Sequence, residues 1–365
     1  MKNKDQYKMQ NIRTYVQLGF VFLCLWIGVE FYLFLKYFET GGLTAYFNRP
    51  PGVDAFLPIS SMMSVYYYTL TGEIHKAHPA GFFIFLGVVS MSFLLGKSFC
   101  SWVCPVGFLS ECIGDFGDWL QKRVFKWKKF RIRMPRFLDY ILRSVKYLLL
   151  GFLFYVVFYT MSSFALEMFL DSPYNTISDV KMYYFFADLS RFSLIVITAL
   201  FVLSIFFKNF WCRYLCPYGA LLGITSLLSP VKISRDENKC IDCSLCAKAC
   251  PSAINVDKVK TVISDECSSC LRCVDSCPVK DALGLKIVPI NKKVEKRWTP
   301  YIAMAGFLLF TSMGVLTGNW QNDVSIYEYE QLYKIKDSVG HPGNADKIGF
   351  GDEKKNEMNE KNPKD

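Results

Sequence analysis

Histidine is nearly missing from this chain. His75, His78 and His341 are the only three, and none falls in the middle of a long apolar run. A haem held by two histidines inside a bilayer therefore has no ligands to use. A covalently attached haem is excluded as well, because no C-x-x-C-H occurs. There is no G-x-G-x-x-G after a strand pattern and no G-x-x-x-x-G-K-S/T, so nicotinamide, flavin and nucleoside triphosphate sites lack sequence support. No Ser-His-Asp pattern is present. Charge is scarce too, at 20% of residues, against about 25% in an average soluble protein. That scarcity, with long apolar runs, excludes an ordinary soluble enzyme, a disordered chain and a collagen.

What the sequence has is apolar and aromatic surface, 52% and 16% of its 365 residues, and a formal net charge of +10. About 20 mostly apolar residues cross a bilayer as a helix. Five stretches qualify as transmembrane helices, at 15–35, 79–96, 147–170, 189–207 and 298–318. The first is read as a retained signal anchor, since it is longer than a signal peptide and no small-residue cleavage site follows it. Short loops rich in Lys and Arg stay in the cytoplasm. The loop from Lys97 to Lys146 holds eleven of them, whereas 37–78 has only Arg49 and Lys76, and 171–188 only Lys181. The N-terminus and the segment 208–297 are then cytoplasmic, and the polar tail 319–365 is extracytoplasmic. The basic run over 122–136 reads as a collar against membrane lipid, not as a nucleic-acid site.

Two segments repeat one pattern, aromatic-C-x3-C-P-x-G-x-L. One runs from Phe99 through Cys100, Cys104, Pro105 and Gly107 to Leu109. The other runs from Trp211 through Cys212, Cys216, Pro217 and Gly219 to Leu221. Each follows a pair of apolar stretches. The membrane part, residues 1–230, thus reads as a duplicated helical-pair unit, which pseudo-two-fold packing would close on itself.

The densest chemistry lies between the fourth and fifth apolar stretches. Cys240-x2-Cys243-x2-Cys246-x3-Cys250-Pro251 is followed by Cys267-x2-Cys270-x2-Cys273-x3-Cys277-Pro278. This is the bacterial ferredoxin run, twice, and in such pairs the fourth Cys of each run ligates the other cluster. Cys240, Cys243, Cys246 and Cys277 are assigned to one [4Fe–4S] cluster, and Cys267, Cys270, Cys273 and Cys250 to a second. Zinc needs neither the third Cys nor the Pro, and disulfides are improbable in a cytoplasmic segment. The fold class is an all-α polytopic membrane protein with a small α+β ferredoxin domain inserted at 231–290. That domain has little room for an apolar core, so bound clusters are expected to supply much of its folding free energy.

The paired motifs carry a weaker signal. Residues four apart share a helix face, so Cys100 with Cys104, and Cys212 with Cys216, each present two sulfurs in one direction. If the repeats meet, four thiolates form one redox or metal site. The alternative is four reduced thiols used for packing. Cys24 and Cys112 are read as plain thiols. Glu30 and His78 are the candidates for proton handling beside a quinone.

Together these motifs resemble the NapH, NosR and MauN type of membrane polyferredoxin, and within it the YccM-like electron-transport proteins. The shared segments are Cys-Ser-Trp-x-Cys-Pro-Val-Gly at 100–107, Ser172-Pro173-Tyr174, Asp179-Val180-Lys181-Met182 and Trp-Cys-Arg-Tyr-Leu-Cys-Pro-Tyr-Gly-Ala at 211–220. The resemblance implies an iron–sulfur protein of the bacterial inner membrane that exchanges electrons with the quinone pool or a redox partner protein. For the NapH type it implies quinol oxidation supplying periplasmic reductases, which would make the chain a component of a quinol dehydrogenase or reductase system. The chain lacks the extracytoplasmic flavin domain of the NosR type. The CcoG-like branch carries the same cysteine motifs and is associated with cupric reduction, so a metal-reducing assembly factor using the CxxxCP cysteines is the alternative.

Overall fold

The computed structural model describes residues 9–123 and 134–340. Most of the basic collar expected over 122–136, His341 and the end of the polar tail lie outside the described residues.

In chain order the helices are α1 (Met9–Glu39), α2 (Pro58–Thr71), α3 (Pro79–Leu95), α4 (Ser98–Trp102), α5 (Pro105–Arg123), α6 (Arg136–Phe154, continued as a π-helix over Tyr155–Thr160), α7 (Ser163–Leu170), α8 (Pro173–Thr176), α9 (Ser178–Ala187), α10 (Arg191–Phe206) and α11 (Pro217–Leu227). There follow β1 (Val231–Arg235), α12 (Leu245–Ala249), α13 (Arg272–Asp275), β2 (Leu283–Ile287), β3 (Lys292–Val294), α14 (Thr299–Leu316) and α15 (Ile326–Lys334). The chain forms two compact units. One gathers residues up to Gly28 with Phe83–Val156 and Ser190–Thr317, and the other gathers Val29–Phe82, Val157–Leu189 and residues from Gly318 on.

Three helical segments among the described residues are long and apolar enough to cross a membrane alone, Met9–Glu39, Phe137–Thr160 and Lys296–Leu316. α9 and α10 qualify only when counted as one broken span, and α3 is a shorter apolar helix of 17 residues. Large apolar side chains stand exposed along them, including Phe22, Phe152, Ile195 and Leu309. Water would make such surface an association hazard; lipid makes it the ordinary exterior of a spanning helix. The stretch expected to span 147–170 instead starts near Phe137 and ends at Thr160. The break is local chemistry. Ser162 caps a new helix, its Oγ accepting from the Ala165 amide at 3.2 Å, and Ser190 caps α10 in the same way through Ser193 at 3.1 Å. A Ser oxygen satisfies an amide that the first helical turn leaves unpaired.

In the first unit, β1, β2 and β3 form one antiparallel sheet, with Ile233 opposite Leu285 and Leu285 opposite Val294. Its inward residues alternate as a half-buried strand requires. They join a core that also contains Trp102, Val103, Met91 and Leu95 from the helices. The ferredoxin-like region has little room for an apolar core of its own, and it shares one with the helices packed against it.

The second unit is built on the end of α1, with α2, α7, α8, α9 and α15. Leu166, Leu170, Ile177 and Val180 are buried in it, and Phe34 meets Tyr329 edge to face at 5.3 Å.

Candidate iron–sulfur sites

Two cavities lie in the ferredoxin-like region, and each is edged by four cysteines. Cys250, Cys267, Cys270 and Cys273 line one. Cys240, Cys243, Cys246 and Cys277 line the other. Each cavity takes three cysteines from one run and the fourth from the other.

Backbone handedness explains how C-x2-C-x2-C wraps. Asp242 and Ser244 in the first run, and Ser269 and Leu271 in the second, have φ of 51°, 54°, 49° and 59°. These are equivalent positions, left-handed although none is glycine. Non-glycine residues adopt this region rarely and at some cost, and here each left-handed step curls the loop around its cavity. Amides then reach the sulfurs, as Ser269 does for Cys267 and Val279 for Cys277. Burial pushes the Cys267 thiol up to about 12 and Cys273 well above its usual value. Thiols in such settings ionise only with a compensating charge, which a metal–sulfur core supplies.

The donor set fits a cluster better than a lone ion. Among the described residues, no three Cys, His or acidic side chains form a group that could hold a metal ion. Tetrahedral zinc needs four sulfurs about 2.3 Å from a common centre, whereas a cubane spreads its thiolates over four irons. The cavities also differ in depth. Cys250, Cys270 and Cys273 are buried, while Cys243 is exposed. The cavity lined by Cys250 is therefore the inner one.

The CxxxCP cysteines lie together in the same unit. Cys104 feels the charge of Cys100, Cys212 and Cys216, and Cys212 is hydrogen-bonded by Ser110, a residue of the other repeat. Both repeats use their Pro-x-Gly alike. The Gly219 amide donates to Cys216 Sγ at 3.2 Å, and the Gly107 amide does the same for Cys104. Glycine is obligatory at 107, since any Cβ would overlap the Cys100 carbonyl oxygen. Burial and neighbouring thiols push Cys100 up to about 11 and Cys212 up to about 12.

Both repeats are joined to the inner cavity. Ser101 Oγ donates to the Ser268 carbonyl at 2.6 Å, and Trp102 Nε1 to that of Ser269 at 3.2 Å. From the second repeat, Arg213 Nη1 donates to the Ser252 carbonyl at 2.9 Å. Ser268 and Ser269 separate Cys267 from Cys270, and Ser252 follows Cys250-Pro251, so all three acceptors belong to the loops that edge the inner cavity.

Lys97 is a functional candidate that motif reading missed. It is 5% exposed, and the charges of Cys100, Cys216 and Cys212 bear on it. Beside it Lys146, 0% exposed, pairs with Glu266, and Arg143 pairs with Asp265 at 2.9 Å. The available signal was a lysine interrupting an apolar run three residues before a CxxxCP.

His78 belongs to the second unit and is 1% exposed. Its Nδ1 faces Asp54 Oδ1 at 3.0 Å and its Nε2 the Asn175 carbonyl at 2.7 Å. Both of these partners accept, which favours the protonated ring, while Arg49 Nη2 also lies 3.2 Å from Nδ1. Arg49 completes the group, with Nη2 on Asp54 at 2.5 Å and Nε on Asp179 at 2.6 Å. Burial opposes the charge on His78, yet Asp54 outweighs it and raises the pKa; Arg49 and His78 together hold Asp54 at about 2 against the same burial. This enclosed histidine is bonded through both ring nitrogens, without the access that a quinone-side proton acceptor needs. Glu30 is half-buried on α1.

An open groove lies along the sheet beside the outer cavity, lined by Gly284 and by more basic than acidic side chains, Lys280, Lys293 and Arg297 beside Asp281 and Glu295 among them; Leu283 borders both.

A family model described as a 4Fe-4S binding domain matches residues 77–129 and again 191–236, and one described as a 4Fe-4S dicluster domain matches 234–285. The Escherichia coli protein YccM, whose name assigns it provisionally to electron transport, is 40% identical over 335 residues, 90% of this chain and 91% of its own. The ferredoxin-type protein NapH of Haemophilus influenzae is 29% identical over 53% of this chain and 63% of its own length. The methylamine utilization ferredoxin-type protein MauN of Paracoccus denitrificans is 29% identical over 45% and 52%. No solved structure matches. The chain belongs to the family of ferredoxin-type 4Fe-4S membrane proteins that includes YccM.

Proposed function

We propose that this protein carries electrons across the membrane surface through three stations in series: the four CxxxCP cysteines, a [4Fe–4S] cluster on Cys250, Cys267, Cys270 and Cys273, and a second on Cys240, Cys243, Cys246 and Cys277. The observation that carries this reading is the joint. Both CxxxCP loops hydrogen-bond to loops of the inner cavity. The outer cavity, with exposed Cys243 and the cationic groove beside it, is the end that meets a redox partner. The quinone pool serves the membrane end. One hydroquinone releases two electrons and two protons; the electrons enter one at a time, since each cluster takes one, and the protons pass to water. The topology that suits this route has five crossings of a duplicated helical pair plus one helix in the bacterial inner membrane, with 231–290 cytoplasmic because the basic loops remain inside.

Anaerobically purified protein should carry at least about eight iron and eight acid-labile sulfide per chain. Cys250→Ser should damage the cluster held mainly by the second run. About one iron, or zinc in its place, overturns the reading, and so does damage confined to the first run's cluster. A menaquinol or ubiquinol analogue should reduce the clusters. Copper on the purified protein, lost in Cys100→Ser, would turn the reading toward cupric reduction. A reporter fused after Lys286 should register as cytoplasmic, and one fused after Ser325 as extracytoplasmic.

A further inference from the structure

The first turns of α1 carry none of the cysteine motifs, yet they are bonded to loops that those motifs build. Gln10, Arg13 and Gln17 stand three and four residues apart, so they share one helix face. Arg13 and Gln17 are buried, and buried polar groups need partners. Arg13 is the centre of the group. Its Nη1 and Nη2 hold the two oxygens of Glu111 at 2.8 and 2.6 Å. Nη1 also donates to the Ser101 carbonyl at 3.1 Å, and Gln17 Nε2 donates to the same oxygen at 2.9 Å. Ser101 follows Cys100, so this side of the guanidinium braces the first CxxxCP loop.

Toward the ferredoxin-like region the guanidinium uses Nε, which donates to Gln10 Oε1 at 3.1 Å. Gln10 in turn donates through Nε2 to the Cys270 carbonyl at 2.9 Å. Two hydrogen bonds thus run in one direction, from a buried cation to the backbone of a cysteine that edges the inner cavity. The place of Gln10 is fixed through its main chain as well. Its amide donates to Asp275 Oδ2 at 3.1 Å, and Lys296 holds the other oxygen of Asp275 at 2.9 Å. Glu111 takes the Nη edge of the guanidinium, so the positive end of that ion pair is turned to Gln10. Hydrogen bonds in a chain polarise one another in a low-dielectric interior, and groups beyond the ligands set the potential of an iron–sulfur centre.

We propose that Arg13 and Gln10 form a relay that raises the reduction potential of the centre held by Cys250, Cys267, Cys270 and Cys273. This rests on the reading of those four cysteines as ligands of one cluster. A reduced cluster carries one more negative charge than an oxidised one. The relay brings positive potential to the Cys270 peptide, and that favours the reduced state. Neither side chain meets a cysteine sulfur in this scheme; both are positioning residues that act through the Cys270 peptide. Because Arg13 also holds the Ser101 carbonyl, the same residue ties the tuning of the inner set to the loop of Cys100.

The test is an EPR-monitored redox titration of the full chain in detergent, handled without oxygen, with iron and sulfide measured on the same samples. Gln10→Met keeps the length of the side chain and removes its donor. It should retain the iron and move one midpoint to more negative potential by up to a tenfold change in the oxidised-to-reduced ratio, about 59 mV for one electron. Gln10→Glu keeps the shape and still accepts from Arg13, but it turns a negative acceptor toward the Cys270 carbonyl, so its shift should exceed that of Gln10→Met. Gln17→Met loses only the bond to Ser101 and should leave every midpoint in place. A packing role predicts the reverse order at position 10, with Gln10→Glu nearest the wild type. Unmoved midpoints with iron retained overturn the relay and leave the clusters standing. Wild-type iron well short of about eight per chain overturns the cluster assignment, and the relay with it. If Gln10→Met loses iron, Gln10→Glu decides alone; loss of iron in both assigns Gln10 to folding and rejects the relay.

Discussion

The two compact units each bury a cluster of charges, and they solve the same problem in opposite ways. In one, Arg49 and His78 face Asp54 and Asp179, through Nε and Nη2 of the guanidinium and both ring nitrogens. In the other, the charges that bear on buried Lys97 are those of Glu266, already paired with Lys146, and of the Cys100, Cys216 and Cys212 thiols. A balanced cluster needs nothing further and reads as architecture. An unbalanced one leaves a buried charge without a dedicated partner. Burial alone therefore does not separate structural from functional ionisable groups; the charge count does.

The largest effect expected from breaking this contrast is in the balanced cluster. Arg49→Met leaves Asp54 and Asp179 buried without their cation, and removing one partner of a buried pair typically costs about 3–5 kcal/mol. The melting temperature in detergent should fall steeply while iron content per folded chain stays unchanged; iron loss without destabilisation would assign Arg49 to the redox path. Next in size is the joint to the inner cavity. Trp102→Phe keeps the ring but leaves the buried Ser269 carbonyl without its donor, a loss of about 1–3 kcal/mol. Quinol-driven reduction of the clusters should slow while direct reduction by dithionite does not.

The pH dependence follows, with its sign set by the raised His78 pKa. A histidine whose pKa is raised on folding stabilises below its unfolded value, near 6.5, and that contribution is lost as pH rises through the folded value. Asp54 acts in reverse, contributing above about pH 4 and losing its contribution as pH falls toward about 2. The other charged groups facing this ring are Arg49, Asp179 and His75. Thermal melts of the wild type should show an alkaline decline that His78→Gln lacks; the same slope in both proteins rejects His78 as its source. Smallest on stability is Gly284→Phe. A Cβ there meets nothing within 4 Å and the site is an ordinary strand position, so stability should change by no more than about 0.5 kcal/mol. The new ring would fill the groove and should weaken electron exchange with a soluble acceptor; undiminished exchange removes the groove from the partner-facing end.

The iron–sulfur character of the chain was legible from sequence because its determinants are local. The spacing of each cysteine run lies within a single loop, and the crossed division between Cys250 and Cys277 reappears in the two cavities. The serine caps at 162 and 190 each stand as Ser ahead of an apolar run, although hydropathy alone carried the third span past Ser162. The charge clusters were not readable. Glu266 and Asp265 approach Lys146 and Arg143 only through tertiary packing, and His78 gives no sign in the sequence that Arg49, Asp54 and Asp179 enclose it. Nor does anything in Asp242 or Leu271 announce a left-handed backbone, since the loop imposes it against their preference.

The hydrogen bonds that fasten Ser101, Trp102 and Arg213 to the cysteine loops have a kinetic meaning. A ferredoxin that diffuses must find its donor, orient and depart, and its rate varies with concentration and salt. Here that search has been removed. On the proposed route, an electron passing between the CxxxCP cysteines and the inner cavity would do so in a first-order event whose rate is set by a fixed gap, indifferent to ionic strength and dilution, and collision chemistry would begin only at the outer cavity beside Cys243.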